Sequence, residues 1–155
     1  MAAMNQFFAL PAVCDAIAEI EENKAGLIVL QGERVVFTAA TPGIRAALQL
    51  HDEHPELLRG AVIADRIIGR AAAMIFADGG AAAIYGSVMS KTARQELTQK
   101  GVQIRARTLV DAIINRRGDG ICPMEQAITG ITETELGLSH LRETVKLLMA
   151  AHVEE

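Results

Sequence analysis

Apolar positions recur along this chain in two rhythms, and the order of those rhythms outlines a fold. Val13, Cys14, Ile17 and Ile20 fall on one stripe behind Pro11. A helix is therefore expected from Pro11 to about Asn23, with proline in its first turn and Cys14 as a small buried hydrophobe. Two short apolar runs, 27–30 and 35–37, flank Gln31-Gly32-Glu33-Arg34 and read as a β-hairpin. Thr41-Pro42 opens a second helix with Ile44, Ala47 and Leu48 inward, and Pro55 forbids its continuation. An extended segment lies within 57–64. Asp65 then caps a helix through about Ala77, with Ile68, Ala71, Ala72 and Ile75 inward and Asp78-Gly79-Gly80 as its stop.

The second half alternates in the same way. Residues 81–85 are apolar without alternation, as in a strand buried on both faces. Ser90 caps a helix that ends at Lys100-Gly101. Val102, Ile104 and Ala106 alternate with Gln103, Arg105 and Arg107, which predicts a strand. Thr108–Asp111 resembles a capping arrangement, so a short helix is expected to Arg116, followed by a turn at Gly118-Asp119-Gly120. Cys122-Pro123 opens a further helix interrupted at Gly130. A C-terminal helix over 132–152 carries the heptad-like stripe Leu138, Leu141, Val145 and Leu148, suited to covering the domain or pairing with another subunit. The order predicts one domain over 1–155, with 1–10 as a flexible extension. Its fold class is a three-layer α/β/α sandwich around a mostly parallel sheet that begins with an antiparallel hairpin.

Composition narrows this picture. Half of the 155 residues are apolar and few are aromatic, so the core is aliphatic with closely approaching backbones. The N-terminus lacks a signal-peptide pattern, no apolar run reaches the ~18 residues of a membrane span, and two cysteines are too few for a disulfide framework. A cytoplasmic protein without a membrane partner is expected. The net charge of −4 hides an asymmetry: between Lys91 and Arg117, seven Lys/Arg face only Glu96 and Asp111, a local +5 that leaves −9 elsewhere. That segment suits either solvated faces or a phosphate-bearing ligand. Duplex DNA is not expected as a partner, because the overall acidity opposes it and no docking motif is present.

Three groups of residues resemble a known family: Asp65-x-x-x-Gly69-Arg70-Ala-Ala-Ala, Tyr85 with Ser87 and Ser90, and Asn115-Arg116…Gly120-x-Cys122-Pro123-x-Glu125. Together they resemble the prokaryotic domain-of-unknown-function family DUF1893, with a cytidine-deaminase-like fold. The likeness to deaminases implies two helix starts at one sheet edge. In deaminases these starts bear His or Cys with a catalytic Glu, then Pro-Cys-x-x-Cys, and they hold zinc. Here 65–73 offers no His, Cys or Glu and 87–93 no cysteine, and hydroxyls are poor zinc ligands. Zinc-dependent deamination and a metal site are therefore not expected, nor is a cofactor.

The two helix starts suit an anion without a metal, because unpaired N–H groups converge there. The expected ligand is a nucleotide or a related anionic molecule, held by Asp65, Gly69, Arg70, Tyr85, Ser87, Ser90, Lys91 and Arg116. Equally, Asp65 and Ser90 can simply cap helices while Gly69 permits close packing. Cys122 is the one side chain suited to a covalent or redox role, at a helix N-terminus beside Arg116 and Arg117. His51 and His54 share a helix end, where histidine suits the dipole. Asp111 and Glu125 fit the first turns of helices better than a carboxylate pair. The chain is thus read as an anion-binding domain, with a Cys122 enzyme and an oligomeric interaction protein, assembled through the 138–148 stripe, as alternatives.

Overall fold

The computed structural model describes residues 6–154. It builds five strands into one sheet of order β2-β1-β3-β4-β5. In chain order these are α1 (Pro11–Glu21), the hairpin β1 (Leu27–Gln31) and β2 (Arg34–Ala39), α2 (Ile44–Glu53), α3 (Pro55–Leu58) and β3 (Val62–Ile68). The rest comprises α4 (Arg70–Asp78), β4 (Ala83–Ser90), α5 (Lys91–Gln99), β5 (Gln103–Val110), α6 (Pro123–Ala127) and α7 (Thr134–Glu154). β1 is antiparallel to both of its neighbours, β2 and β3, whereas β3–β4 and β4–β5 are parallel. The sheet is therefore evenly mixed in its pairings, not mostly parallel.

The two faces are covered unequally. On one, Val13, Ala16 and Ile20 of α1 pack with Phe8 on Ile28, Leu30, Val62, Ala64, Ala83 and Tyr85. The other face bears the larger core, where α2 and α4 to α7 all contribute buried aliphatic residues. Helix α4 is the centre of that layer: Ala71 through Phe76 are all buried, so it is apolar on every side. Helix α7 crosses it closely. A Cβ at Gly137 would lie 2.5 Å from Met74 Sδ, so any side chain there would displace the Met74 thioether.

Several elements differ from the sequence pattern. The run 62–68 stays extended because β3 lies between β1 and β4, so α4 begins at Arg70 and not at Asp65. Strand β4 runs on to Ser90, which caps α5 as expected: its Oγ accepts from Ala93 N at 3.1 Å. No helix forms over 111–116. Strand β5 extends to Val110, and Asn115 Oδ1 instead accepts from Gly118 N and Asp119 N, closing a small hairpin bridged by Ile114 and Ile121. Helix α2 starts at Ile44 behind Gly43, two residues after the expected Pro42. Cys14 is exposed, since the stripe of α1 runs through Val13, Ala16 and Ile20; its Sγ donates to Phe8 O. In α7 Leu138 and Leu141 are buried, but Leu148 is 44% exposed. Residues 1–5 of the expected N-terminal extension lie outside the described residues.

An ionic clasp holds α7 against the ends of α2 and α4. Arg142 donates from Nε and Nη2 to the two oxygens of Asp52, at 2.9 and 2.8 Å. His51 lies between Asp52 Oδ1 (2.8 Å from Nδ1) and Asp78 Oδ2 (2.7 Å from Nε2). The Arg142 bonds hold the Asp52 carboxyl down at about 2. Burial opposes the charge on His51, yet the two carboxylates outweigh it and raise its pKa above the ordinary 6.5. With both ring nitrogens donating to carboxylates, the ring is an imidazolium. This stabilisation is complete below pH 6.5 and is lost as pH climbs through the raised folded value. Denaturant unfolding of the wild type and His51→Gln should therefore differ by about 1 kcal/mol at pH 6, and by less at pH 9. A difference that grows with pH contradicts the imidazolium assignment.

Candidate functional site

The first expected anion seat is already filled by the chain itself. Arg70 N and Ala71 N, the first two amides of α4, each donate at 2.8 Å to the carboxylate of Glu125. Helix starts leave such donors without intrahelical partners, and a carboxylate also complements the positive end of the dipole. Gly69 makes the seat possible, since a Cβ there would stand 2.7–2.8 Å from the Glu125 carboxylate. Arg70 turns away from any ligand position: its Nε donates to Glu96 Oε1 at 3.2 Å, and its terminal nitrogens donate to Ile128 O and Ile131 O. Its charge closes the α6–α7 linker onto α4.

The second helix start is likewise occupied. Ser90 Oγ caps α5 and also lies 3.1 Å from Thr92 Oγ1, while Lys91 reaches out to exposed Asp111 at 2.9 Å. Arg116 stands on the exposed tip of the 113–122 hairpin. Cys122 is half-buried at the N-cap of the five-residue α6, packed against the larger core. Gly69 and Ser90 follow the paired residues Ile68 and Met89, so the two helix starts do lie side by side at the strand ends, but their donors are engaged within the chain.

Asp65 is only 1% exposed, in the middle of β3. It pairs with Leu27 on one side and Gly86 on the other, which places it on the larger-core face with Leu27. Its Oδ1 accepts from Ile67 N at 3.3 Å. Burial pushes its carboxyl up to about 7, against the pull of the Ile67 and Arg66 amides and the Arg66 charge. It is a buried acid and not a helix cap.

Tyr85 and Ser87 belong to a different group, on the α1 side. Sheet pairs run Asp65–Gly86–Ala106 and resume at Ile67–Val88–Thr108, so Arg66, Ser87 and Arg107 stand level with one another between them. Alternation fails at this level in β3 and β4: Ile63 and Ile68, like Ile84 and Met89, lie five positions apart yet share one core. Above the row, α1 ends at Glu21, whose carboxylate accepts from Tyr85 Oη and Arg107 Nη1. The Tyr85 bond, then Ser87 and Arg107, outweigh burial and hold the Glu21 pKa low. Burial and the Glu21 charge push Tyr85 up to about 12. Arg66 donates from Nη2 to Ala25 O at 2.8 Å, and its Nε is the one buried side-chain polar atom without a partner among the described residues. The sequence pattern does not single out Glu21 or Arg66, and Arg107 enters it only as a polar position of the expected strand and one of the seven basic residues of 91–117.

These features define an α/β protein with a mixed five-stranded sheet and a polar row beneath the end of α1. The family model described as a domain of unknown function, DUF1893, matches residues 15–145. The chain belongs to that family. It is similar to the crystal structure of a DUF1893 family protein (TM1506) from Thermotoga maritima, with a TM-score of 0.74 and 20% identity over 87% of this chain and 88% of that one. At that identity the likeness speaks for the fold. No curated protein matches.

Two stability effects follow. Glu125→Ala leaves two partly buried amides without their carboxylate acceptor, and Gly69→Ala drives the carboxylate from its seat. Each should cost about 1–3 kcal/mol in denaturant unfolding, with Glu125→Gln costing less than Glu125→Ala. Equal losses for Gln and Ala would show that the carboxamide recovers nothing of the seat. For Asp65, the folded state holds its proton more tightly than the unfolded chain, so stability falls as pH rises from 3.8 to about 7 and then levels. Asp65→Asn should therefore gain on the wild type across that interval, by up to about 4 kcal/mol. A wild-type-to-variant difference that stays flat from pH 4 to 8 is incompatible with a buried, titrating acid.

Proposed function

We propose that this chain is a zinc-free, deaminase-like domain that binds a small anionic ligand, a nucleotide or related phosphate, at the row of Arg66, Ser87 and Arg107. The deaminase-like reading is supported by the order helix, hairpin, helix, then strands alternating with helices. The zinc-free reading is supported by the residues at the two helix starts, Gly69-Arg70 and Ser90-Lys91, whose donors already serve Glu125 and Ser90.

The observation that carries the ligand is the convergence of Tyr85 and Arg107 on one carboxylate, with the partnerless Nε of Arg66 in the same row. A phosphate offers the same acceptor chemistry as Glu21 with more oxygens, and guanidinium groups match it in geometry. The row lies in the carboxyl-terminal half of the parallel strands, where open α/β sheets receive ligands. Glu21 would then be the group that a ligand displaces.

A thermal-shift screen over nucleotides and sugar phosphates tests this reading. A ligand at a hundred times its Kd should add about 2.7 kcal/mol of stability, a rise of several degrees. Arg107→Ala and Arg66→Gln should abolish the rise and Lys91→Ala should retain it. No rise with any of these ligands, in folded protein, removes the proposal.

A further inference from the structure

Strand β5 is the outermost strand beside β4, and its other edge has no protein partner. Among the described residues, the backbone groups of 103–110 bond only within the sheet to β4, apart from Gln103 N to Ala82 O. The strand Gln-Ile-Arg-Ala-Arg-Thr-Leu-Val is eight residues long, roughly 26 Å, and holds a constant register on β4 without proline or glycine. Such an edge is a template for another strand. The segment that contains it is cationic: of the seven basic residues over 91–117, only Lys91, Lys100 and Arg107 make ion pairs, leaving Arg105 on the strand itself, and Arg94, Arg116 and Arg117 on its flanks in sequence, without one among the described residues. Apolar contact is also available at Leu109, 38% exposed, and at Ile114, 52% exposed.

We infer that the β5 edge is a docking surface for an extended acidic segment of another protein, one that alternates acidic and aliphatic residues and adds as a sixth strand. Charge complementarity selects this occupant. A second copy pairing through β5 would set arginines of both strands against one another, and like charges across a strand pair repel. Charged residues often blunt an edge, but arginines deter only partners that are not acidic. A nucleic acid would use the side chains and leave the row of backbone donors and acceptors unmet, whereas a peptide strand uses both. This surface does not depend on the anion row, because its recognition rests on backbone hydrogen bonds that a small phosphate does not make.

The test uses the full chain and a capped, fluorescein-labelled decapeptide alternating Glu and Val, followed by anisotropy. Saturable binding is expected, with slowed hydrogen exchange of β5 amides in the complex. N-methylation of alternate peptide residues should weaken binding about tenfold or more, because it removes the backbone donors. Arg105→Glu should weaken it similarly, and Arg105→Gln by less, both checked for native circular dichroism. A Lys–Val peptide should not bind. The inference is overturned by no binding of the Glu–Val peptide up to about 1 mM. Undiminished binding of the N-methylated peptide overturns it too, as does an oligouridine that binds while the peptide does not. A wild-type dimer that Arg105→Glu dissolves would give the edge to a second copy instead.

Discussion

The carboxylate of Glu125 on the first two amides of α4 is the contact from which the rest of the helical layer follows. Helix α4 is buried from Ala71 to Phe76, so the donors at its partly buried start are best served by a partner from the chain. That partner comes from 54 and 55 residues away. Bringing it back carries the 113–122 hairpin and α6 over the ends of the parallel strands, and Arg70 then fixes the next linker by its carbonyls. Helix α7 leaves from that anchored point and crosses α4 where Gly137 admits Met74. Gly69 is the condition for the whole arrangement, since any side chain there occupies the carboxylate's place.

A second constraint comes from the length of α1. Its eleven residues cover only the first part of the strands, and they end at the level where β3 and β4 lose their alternation. Beyond α1 none of the described apolar residues of that face's cluster continues along the strands, and that is where Arg66, Ser87 and Arg107 stand. The larger-core face at the neighbouring level is closed. There Asp65 sits beside Gly86, its charge disfavoured by the same burial that makes the core. One sheet thus disfavours the charge of an acid on one face and gathers donors around a carboxylate on the other.

The sequence was most readable where one rule acted alone. The hairpin around Gly32, the Ser90 cap and the Gly101 stop depend on local backbone chemistry, and each appears where the pattern places it. Asp65 was misread because an acid ahead of an alanine-rich stretch looks like a cap, while the strand environment that buries it is set by β1 and β4, far away in sequence. Residues 111–116 failed for a related reason: the side chain of Asn115 closes a local turn that competes with a helix. Of the expected site, Tyr85 and Ser87 do share a face, but Gly69, Arg70 and Ser90 serve structure. Glu125 was visible as a first-turn acid of α6. Its true partner could not be read, because nothing local links it to Gly69.

The charge asymmetry of the chain takes its meaning from these contacts. Acids meet their partners one by one: Glu125 with the amides of α4, Glu21 with Tyr85 and Arg107, Asp52 with His51 and Arg142. At the start of α4 the backbone donors are thereby taken by a carboxylate of the chain itself. The guanidinium groups left without a carboxylate among the described residues include Arg66, in the row beneath Glu21, and Arg105, on β5. These differ from a helix start in what they select. An amide pair accepts any small oxyanion, whereas guanidinium forks favour planar or multi-oxygen acceptors and keep their charge at every physiological pH. The region 91–117 therefore matters less as a block of charge than as the place where the fold leaves arginines without internal carboxylates.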